Sequence, residues 1–375
     1  MAIKYYPFYF PQFYEIPENN KWWGEGFTDW VKVKESNPLN ENHNQPRIPL
    51  NNNYYDQSNP DTQKAQVDLA LKYGIDGFNF YHYWFNGKLL LEKPLENFQK
   101  LKHDMGYCIT WANETWTKRW EGKGNEILIE QKHNRDVKEW EDHFNYLLQF
   151  FTDNRYLKID NKPVFCIYRP DLIPYLNEFI SFFQSKSKEH NLEGIYFIAL
   201  RAYKPKSEKI YKNFDAILRF QPRDVFSAMK KNNFISHLTK FLRFLPEKNQ
   251  IFLSSIFLRI KENKAIEYDY SSFWDNLLKI ALNDHNSNLL KIRIFQSFSV
   301  DWDNTPRYKE KAHYFNNSSL QIFKEKVSQL IAIIKSKNED DIVFINAWNE
   351  WSEGAYLEPD TKNEYNYLKI LKEVK

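Results

Sequence analysis

Gly77-Phe78-Asn79-Phe80-Tyr81-His82-Tyr83-Trp84-Phe85 is a short run of apolar and aromatic residues that follows an amphipathic stretch at 63–73. Such a run reads as a β-strand, and the stretch before it as a helix. Outward from it, similar runs recur at 3–10, 107–113, 163–168, 195–200, 215–220, 292–300 and 342–348. Helix-period segments lie between several of them, at 136–151, 175–190 and 319–336. Strands that alternate with helices build parallel βαβ units. Eight such units predict an α/β fold, a single (β/α)8 TIM-type barrel rather than an open sheet. One barrel with insertions can reach about 400 residues, so the 375 residues read as one domain, 1–375. Two segments read as insertions. The Asn-, Pro- and Trp-rich stretch 19–56 is expected to be a long loop over the first strand end, and 226–284 a helical insertion that caps or extends the mouth.

The strand ends carry the chemistry. Tyr81-His82-Tyr83-Trp84, Asn113-Glu114, Tyr168-Arg169-Pro170, Asp301-Trp302-Asp303 and Asn349-Glu350 all close or follow predicted strands. In a barrel these C-terminal ends line one mouth, where active sites are built. The chain holds 12 Trp, 24 Tyr and 30 Phe, 18% aromatic in all, yet its mean hydropathy is −0.70. A Phe-rich core accounts for the Phe. It accounts poorly for Trp and Tyr beside Asn, Glu, Asp and Arg, because a buried indole or phenol needs a hydrogen-bond partner. Flat rings edged by polar groups suit sugars, which are apolar on one face and rimmed with hydroxyls.

Other classes recede. With 52 Lys and Arg against 49 Asp and Glu, there is no basic excess for nucleic acid. The two cysteines, Cys108 and Cys166, lie in strand-like runs and read as buried thiols. No apolar run approaches the roughly 18 residues of a membrane helix, and the first residues lack a signal-peptide pattern. A cytoplasmic protein is expected. There is no G-x-G-x-x-G, P-loop, H-E-x-x-H or G-x-S-x-G, and the nine His do not fall at metal spacings. The sequence therefore gives no cofactor and no metal.

The strongest constellation is Asn346-Ala347-Trp348-Asn349-Glu350-Trp351-Ser352-Glu353-Gly354. Making or cleaving a glycosidic bond takes one carboxyl that protonates the leaving oxygen and a second that assists from the other side of the sugar. Two carboxyls in an aromatic pocket push their pKa values apart, which yields one acid and one base. Glu350 and Glu353 are the candidate pair, with Trp348 and Asn349 as sugar contacts. A second cluster, Trp111 to Trp120, offers Asn113, Glu114, Trp116, Arg119 and Trp120; Arg119 reads equally as a sugar or anion contact and as a stacked salt bridge. A third, Asp301-Trp302-Asp303-Asn304-Thr305-Pro306-Arg307, has an Asp-x-Asp that in some transferases holds a metal. Without a nucleotide-binding pattern it reads as sugar hydrogen bonding or a structural turn, with Asp301, Trp302, Asp303 and Arg307 as candidates. Tyr81, His82 and Trp84 complete the set; a lone strand-end His is as often a core residue as a catalytic one.

Together these clusters resemble the WbsX family, also described as glycoside hydrolase family 99-like. The resemblance runs through Trp22-Trp23-Gly24-Glu25-Gly26-Phe27-Thr28-Asp29-Trp30, His43-Asn44-Gln45-Pro46, Gly77–Phe85, Trp111-Ala112-Asn113-Glu114, Trp302-Asp303-Asn304-Thr305-Pro306-Arg307 and 346–359. It is weakest over 226–284, apart from Tyr268-Asp269-Tyr270. It implies a (β/α)8 barrel and carbohydrate chemistry in bacterial O-antigen and surface-polysaccharide metabolism. The related endo-mannosidases are retaining enzymes with a Glu-x-x-Glu here. By that resemblance Glu350 is the base that deprotonates the sugar 2-hydroxyl, which attacks the anomeric carbon to give an anhydro sugar, and Glu353 is the acid, then the base. Ser352 stands where those mannosidases usually place an aromatic residue or His, which leaves the sugar specificity open. The expected partner is an oligosaccharide or polysaccharide, with peripheral contact to membrane-bound polysaccharide machinery. Whether water or a sugar accepts the intermediate is not written in the sequence. A sugar-binding protein without catalysis is the alternative, against which the paired glutamates argue.

Overall fold

In the computed structural model, which describes residues 3–118, 123–203, 205, 207–229, 249, 264–286, 292–336 and 342–375, every one of the eight runs is a strand. These are β1 (Lys4–Tyr9), β2 (Gly77–Phe85), β3 (Gly106–Trp111), β4 (Lys162–Ile167), β5 (Tyr196–Arg201), β6 (Ala216–Arg219), β7 and β8 (Ile342–Asn346). β7 is broken at Gln296 into Arg293–Phe295 and Ser297–Ser299. Neighbours pair in parallel in the order β6, β5, β4, β3, β2, β1, β8. The two halves of β7 close the ring. The first pairs with β6, Ala216 opposite Arg293, and the second with β8, Ser297 opposite Phe344. This nearly closed parallel sheet with helices around it is the (β/α)8 barrel expected.

Alternation along β2 shows how the interior and the helix layer divide the residues between them. Asn79 points inward: its Oδ1 accepts from Thr110 on β3, and its amide reaches Cys166, two strands away on β4. Tyr81, on the same face, stacks on Phe8 with ring centres 5.2 Å apart. Phe78 and Phe80 point outward, 6.0 and 5.0 Å from the Phe98 ring of the helix Lys93–Lys100. His82 and Trp84 continue this outward face and stack on His143 of the helix Val137–Phe151, at 5.2 and 4.8 Å. Tyr81 and Tyr83 are the residues that β2 leaves for the barrel mouth. At the other end of the strand, a Cβ on Gly77 would lie 2.3 Å from the Tyr6 ring and 2.6 Å from the Gly106 carbonyl oxygen. Only glycine lets Tyr6 close the floor there.

The two expected insertions resolve differently. The segment 19–56 is not all loop: it overlaps the short helix Pro17–Trp23 and contains Asp29–Lys34. Much of 226–284, namely 230–248 and 250–263, lies outside the described residues. Its last part is the helix Tyr270–Asn286, which buries Phe273, Trp274, Leu277 and Ala281 and packs beside Leu320–Ser336. That part is a helix of the barrel's outer layer. Cys108 and Cys166 are both buried free thiols. Among the described residues, no helix is long and apolar enough to cross a membrane.

Candidate active site

β8 ends at Asn346, and the chain then makes a tight hairpin. Asn349–Glu350 pairs antiparallel with Ala355–Tyr356 around the 3-10 turn Trp351–Glu353. Glu350 ends the first strand of this hairpin and Glu353 ends the turn, and both carboxyls reach the same guanidinium. Gly354 closes the hairpin at φ +63°, where a Cβ would sit 2.8 Å from the Asp303 amide nitrogen. The close approach lets the Asp303 N–H donate to the Glu353 carbonyl at 2.6 Å. The third cluster is thereby sewn to the first.

Arg307, in the short helix Thr305–Tyr308, faces the pair. Its Nη1 donates to Glu353 at 2.8 Å and its Nη2 to Glu350 at 2.6 Å. The same Nη2 lies 3.2 Å from Oδ2 of Asp29. The guanidinium rests over the Phe10 ring at 5.2 Å. Burial raises the Glu350 carboxyl from 4.5 to about 8; Arg307 opposes that rise, while Glu353 and Asp29 add to it. Tyr83 is buried beside them, its phenol raised by burial first and by Glu350 among its neighbours. Arg223 approaches Glu353 from the other side at 3.6 Å and donates to the Tyr203 hydroxyl at 2.6 Å.

Asp301 and Asp303 serve the fold of this corner. Arg47 donates to Asp301 at 2.8 Å. Asp303 takes Gln45 at 2.6 Å and His43 at 3.0 Å, with Arg47 at 3.6 Å. Burial acts to raise the Asp303 carboxyl, but His43 and Arg47 outweigh it and hold the group down to about 2. The pair thus clamps the 19–56 segment onto the barrel. Among the described residues, no group of three or more His, Cys, Asp or Glu is arranged to hold a metal ion.

The remaining candidates divide by burial. Glu114 and Tyr81 are only partly buried, and Glu114 binds Arg169 at 2.6 Å, which also grips Asp171 at 2.7 and 2.8 Å. Trp116 is partly buried, edge-on to Tyr83 at 5.0 Å and to Trp22 at 5.9 Å. His82, Trp84 and Trp348 are corrections. All three are at most 5% exposed. His82 pairs with His143 at 3.0 Å, Trp84 donates its indole N–H to Glu139, and Trp348 packs on Phe78 at 5.1 Å. Trp302 is buried under Arg223 and Phe226. Asn113 and Asn349 are corrections too, since both amides are spent on backbone. Asn113 bonds the N–H and C=O of Arg169 at 2.7 and 2.8 Å, and Asn349 those of Phe10 at 2.7 and 2.9 Å. Each ties two neighbouring strands together beyond the end of their ladder. Arg119 and Trp120 lie outside the described residues. Sequence reasoning left out of its candidate set Asp29, Arg47, Arg169, Tyr203 and Arg223. Asp29 lay within a quoted motif string, and Arg223 comes just after the 215–220 run.

A family model described as Glycosyltransferase WbsX matches residues 5–371. A relative in Xanthomonas campestris pv. campestris (strain B100), called WxcX, is 30% identical over 367 residues, 96% of this chain and 48% of its own. The chain spans about half the length of the curated relatives it matches. A solved structure called a glycoside hydrolase-like protein is similar with a TM-score of 0.61 at 14% identity, over 100% of this chain and 94% of its own. The GH99 endo-alpha-mannosidase from Bacteroides thetaiotaomicron is similar with a TM-score of 0.55 at 13% identity, over 99% of this chain and 95% of its own. At such identities the two structures speak for the barrel alone, while the family model covers nearly every described element. The chain belongs to the Glycosyltransferase WbsX family, a family of carbohydrate-active enzymes.

Proposed function

We propose that the protein makes or cleaves a glycosidic bond with retention, in the metabolism of a bacterial surface polysaccharide such as O-antigen, and that Glu350 and Glu353 do the chemistry. The observation that carries this reading is the shared guanidinium: both carboxyls bind Arg307 at the C-terminal end of the barrel, the rim on which barrel active sites sit. In the first step Glu350 takes the proton of the sugar 2-hydroxyl, whose oxygen attacks the anomeric carbon. The bond to the leaving oxygen breaks, and Glu353 protonates that oxygen. In the second step Glu353 removes a proton from the incoming water or sugar hydroxyl, the anhydro ring opens, and the proton held by Glu350 returns to O2. Trp116, Tyr81 and Glu114, all partly buried, are the side chains available to the rest of the sugar. Membership of the Glycosyltransferase WbsX family supports glycosidic-bond chemistry; the name of the mannosidase neighbour supports a mannose-like substrate.

The test is turnover of mannose-, rhamnose- and hexosamine-containing oligosaccharides, with the product anomer read by proton NMR. E350Q and E353Q keep side-chain shape and lose the proton chemistry. Each is expected to lower the rate by about 10²–10⁴, with a retained anomer from the wild type. An inverted product, or wild-type turnover in both variants, overturns the assignment.

A further inference from the structure

Asp29 is delivered to the Glu pair from outside the barrel sheet. It is the first residue of the helix Asp29–Lys34, which packs on the catalytic turn: the Trp30 ring lies 5.5 Å from Trp351, and the Ser352 hydroxyl reaches the Asp29 carbonyl at 3.5 Å. The side chain is fully buried. Its Oδ2 shares Arg307 Nη2 with Glu350, and its Oδ1 is buried without a hydrogen-bond partner. A carboxylate left half-satisfied in a sealed site costs free energy, so this arrangement is poor as mere scaffolding. A residue chosen only to seat Arg307 would spend both oxygens on it.

Three carboxyls compete for one guanidinium. Were Arg307 Nη2 given to Glu350 alone, the cation would hold Glu350 as a firmly ionised, weakly basic carboxylate. A negative charge on Asp29 draws off part of that nitrogen and repels a second charge beside it. The other groups facing Glu350 are Glu353 on its own turn, Tyr81 and Tyr83 from β2, and Arg223 through its contact with Glu353.

We propose that Asp29 is a positioning residue that sets the basicity of Glu350 by dividing the Arg307 guanidinium between itself and Glu350. The proposal rests on the catalytic reading of Glu350, but its first test does not use activity. Protein labelled with carbon-13 at the side-chain carboxyls is titrated by NMR, and the resonance missing in E350Q reports Glu350. In D29N that resonance is expected to titrate lower by about one unit or more, the size of shift a neighbouring charge produces. In D29E, which keeps the charge, it returns toward the wild-type midpoint. D29S removes the charge with a smaller side chain and reads the same if Asn disturbs the packing. An unchanged midpoint in a folded D29N or D29S overturns the proposal. The second readout is the pH profile of turnover: the rising limb of D29N moves to lower pH in step with the NMR midpoint. If the midpoint moves and the limb does not, Asp29 does tune Glu350, and Glu350 is not the catalytic base.

Discussion

Arg307 presents two nitrogens to three carboxyls in a space nearly closed to water, and the outcome is written on Glu350. Burial dominates there and lifts the group from 4.5 to about 8. The folded state therefore binds this proton more tightly than the unfolded chain does. The stabilisation is complete below the unfolded value and is lost as pH rises through the folded one. Wild-type protein is thus expected to lose stability between about pH 5 and pH 8 relative to E350Q, on the order of 1 kcal/mol per unit where the gap is steepest. Urea unfolding of both proteins at several pH values measures this, and parallel curves would refute it. Glu358, also buried and raised to about 7, titrates in both proteins and cancels from the difference. Arg307 was legible as a candidate from its place after the Asp-x-Asp. The Glu pair was legible from its spacing and its Trp neighbours. Asp29 was legible only as part of a string, because nothing local to 19–56 tells where a long segment lands.

At the scale of the element, β2 shows what a sequence states and what it withholds. Its bounds were plain, since a continuous apolar run buried on both faces is how a parallel strand reads. Which face each residue takes follows from period two, and that period carries the correction. Phe78, Phe80, His82 and Trp84 share one face, and Asn79, Tyr81 and Tyr83 the other. Asn79 was the available signal: a buried amide in a barrel strand belongs inside with Thr110, so Tyr81 and Tyr83 had to follow it to the mouth. The rule that a polar neighbour makes a Trp a sugar contact failed for Trp84, because Glu139 on the adjacent helix supplies the indole's partner. A pair of substitutions separates the two kinds of Trp. Trp84→Ala opens a cavity between strand and helix and is expected to cost about 3–5 kcal/mol. Trp116→Ala, half-buried at the rim, is expected to cost about 1 kcal/mol or less while lowering sugar affinity. Urea midpoints and Trp-fluorescence titration with oligosaccharide read the two effects. The opposite ranking in stability would place Trp116 in the core and sink the assignment.

Across the whole molecule, the barrel is a ring held at one broken strand, and the site is finished by a segment that belongs to no strand. Two of the attachments of the segment 19–56 rest on different physics. Trp30 sits among aromatic rings, 4.3 Å from Phe13, 5.1 Å from Tyr55 and 5.5 Å from Trp351. His43, Gln45 and Arg47 instead converge on Asp303 and Asp301. Because the two attachments are independent, Asp303→Ala is expected to release one and not the other. Hydrogen exchange should rise in peptides covering 39–50, while those covering 28–34 and the barrel strands keep their protection. Breaking a buried ionic network from one side costs about 3–5 kcal/mol, and of its two carboxylate partners Arg47 keeps only Asp301. Acid reproduces the same release in the wild type. Asp303 lies at about 2 in the folded protein against an ordinary 3.8, so its contribution is whole above about pH 4 and disappears as pH falls through about 2. Exchange that rises equally at 28–34 and 39–50 would show a single cooperative lid. Asp29 would then depend on the clamp at Asp303, and the basicity of Glu350 would follow the state of a carboxylate it does not touch.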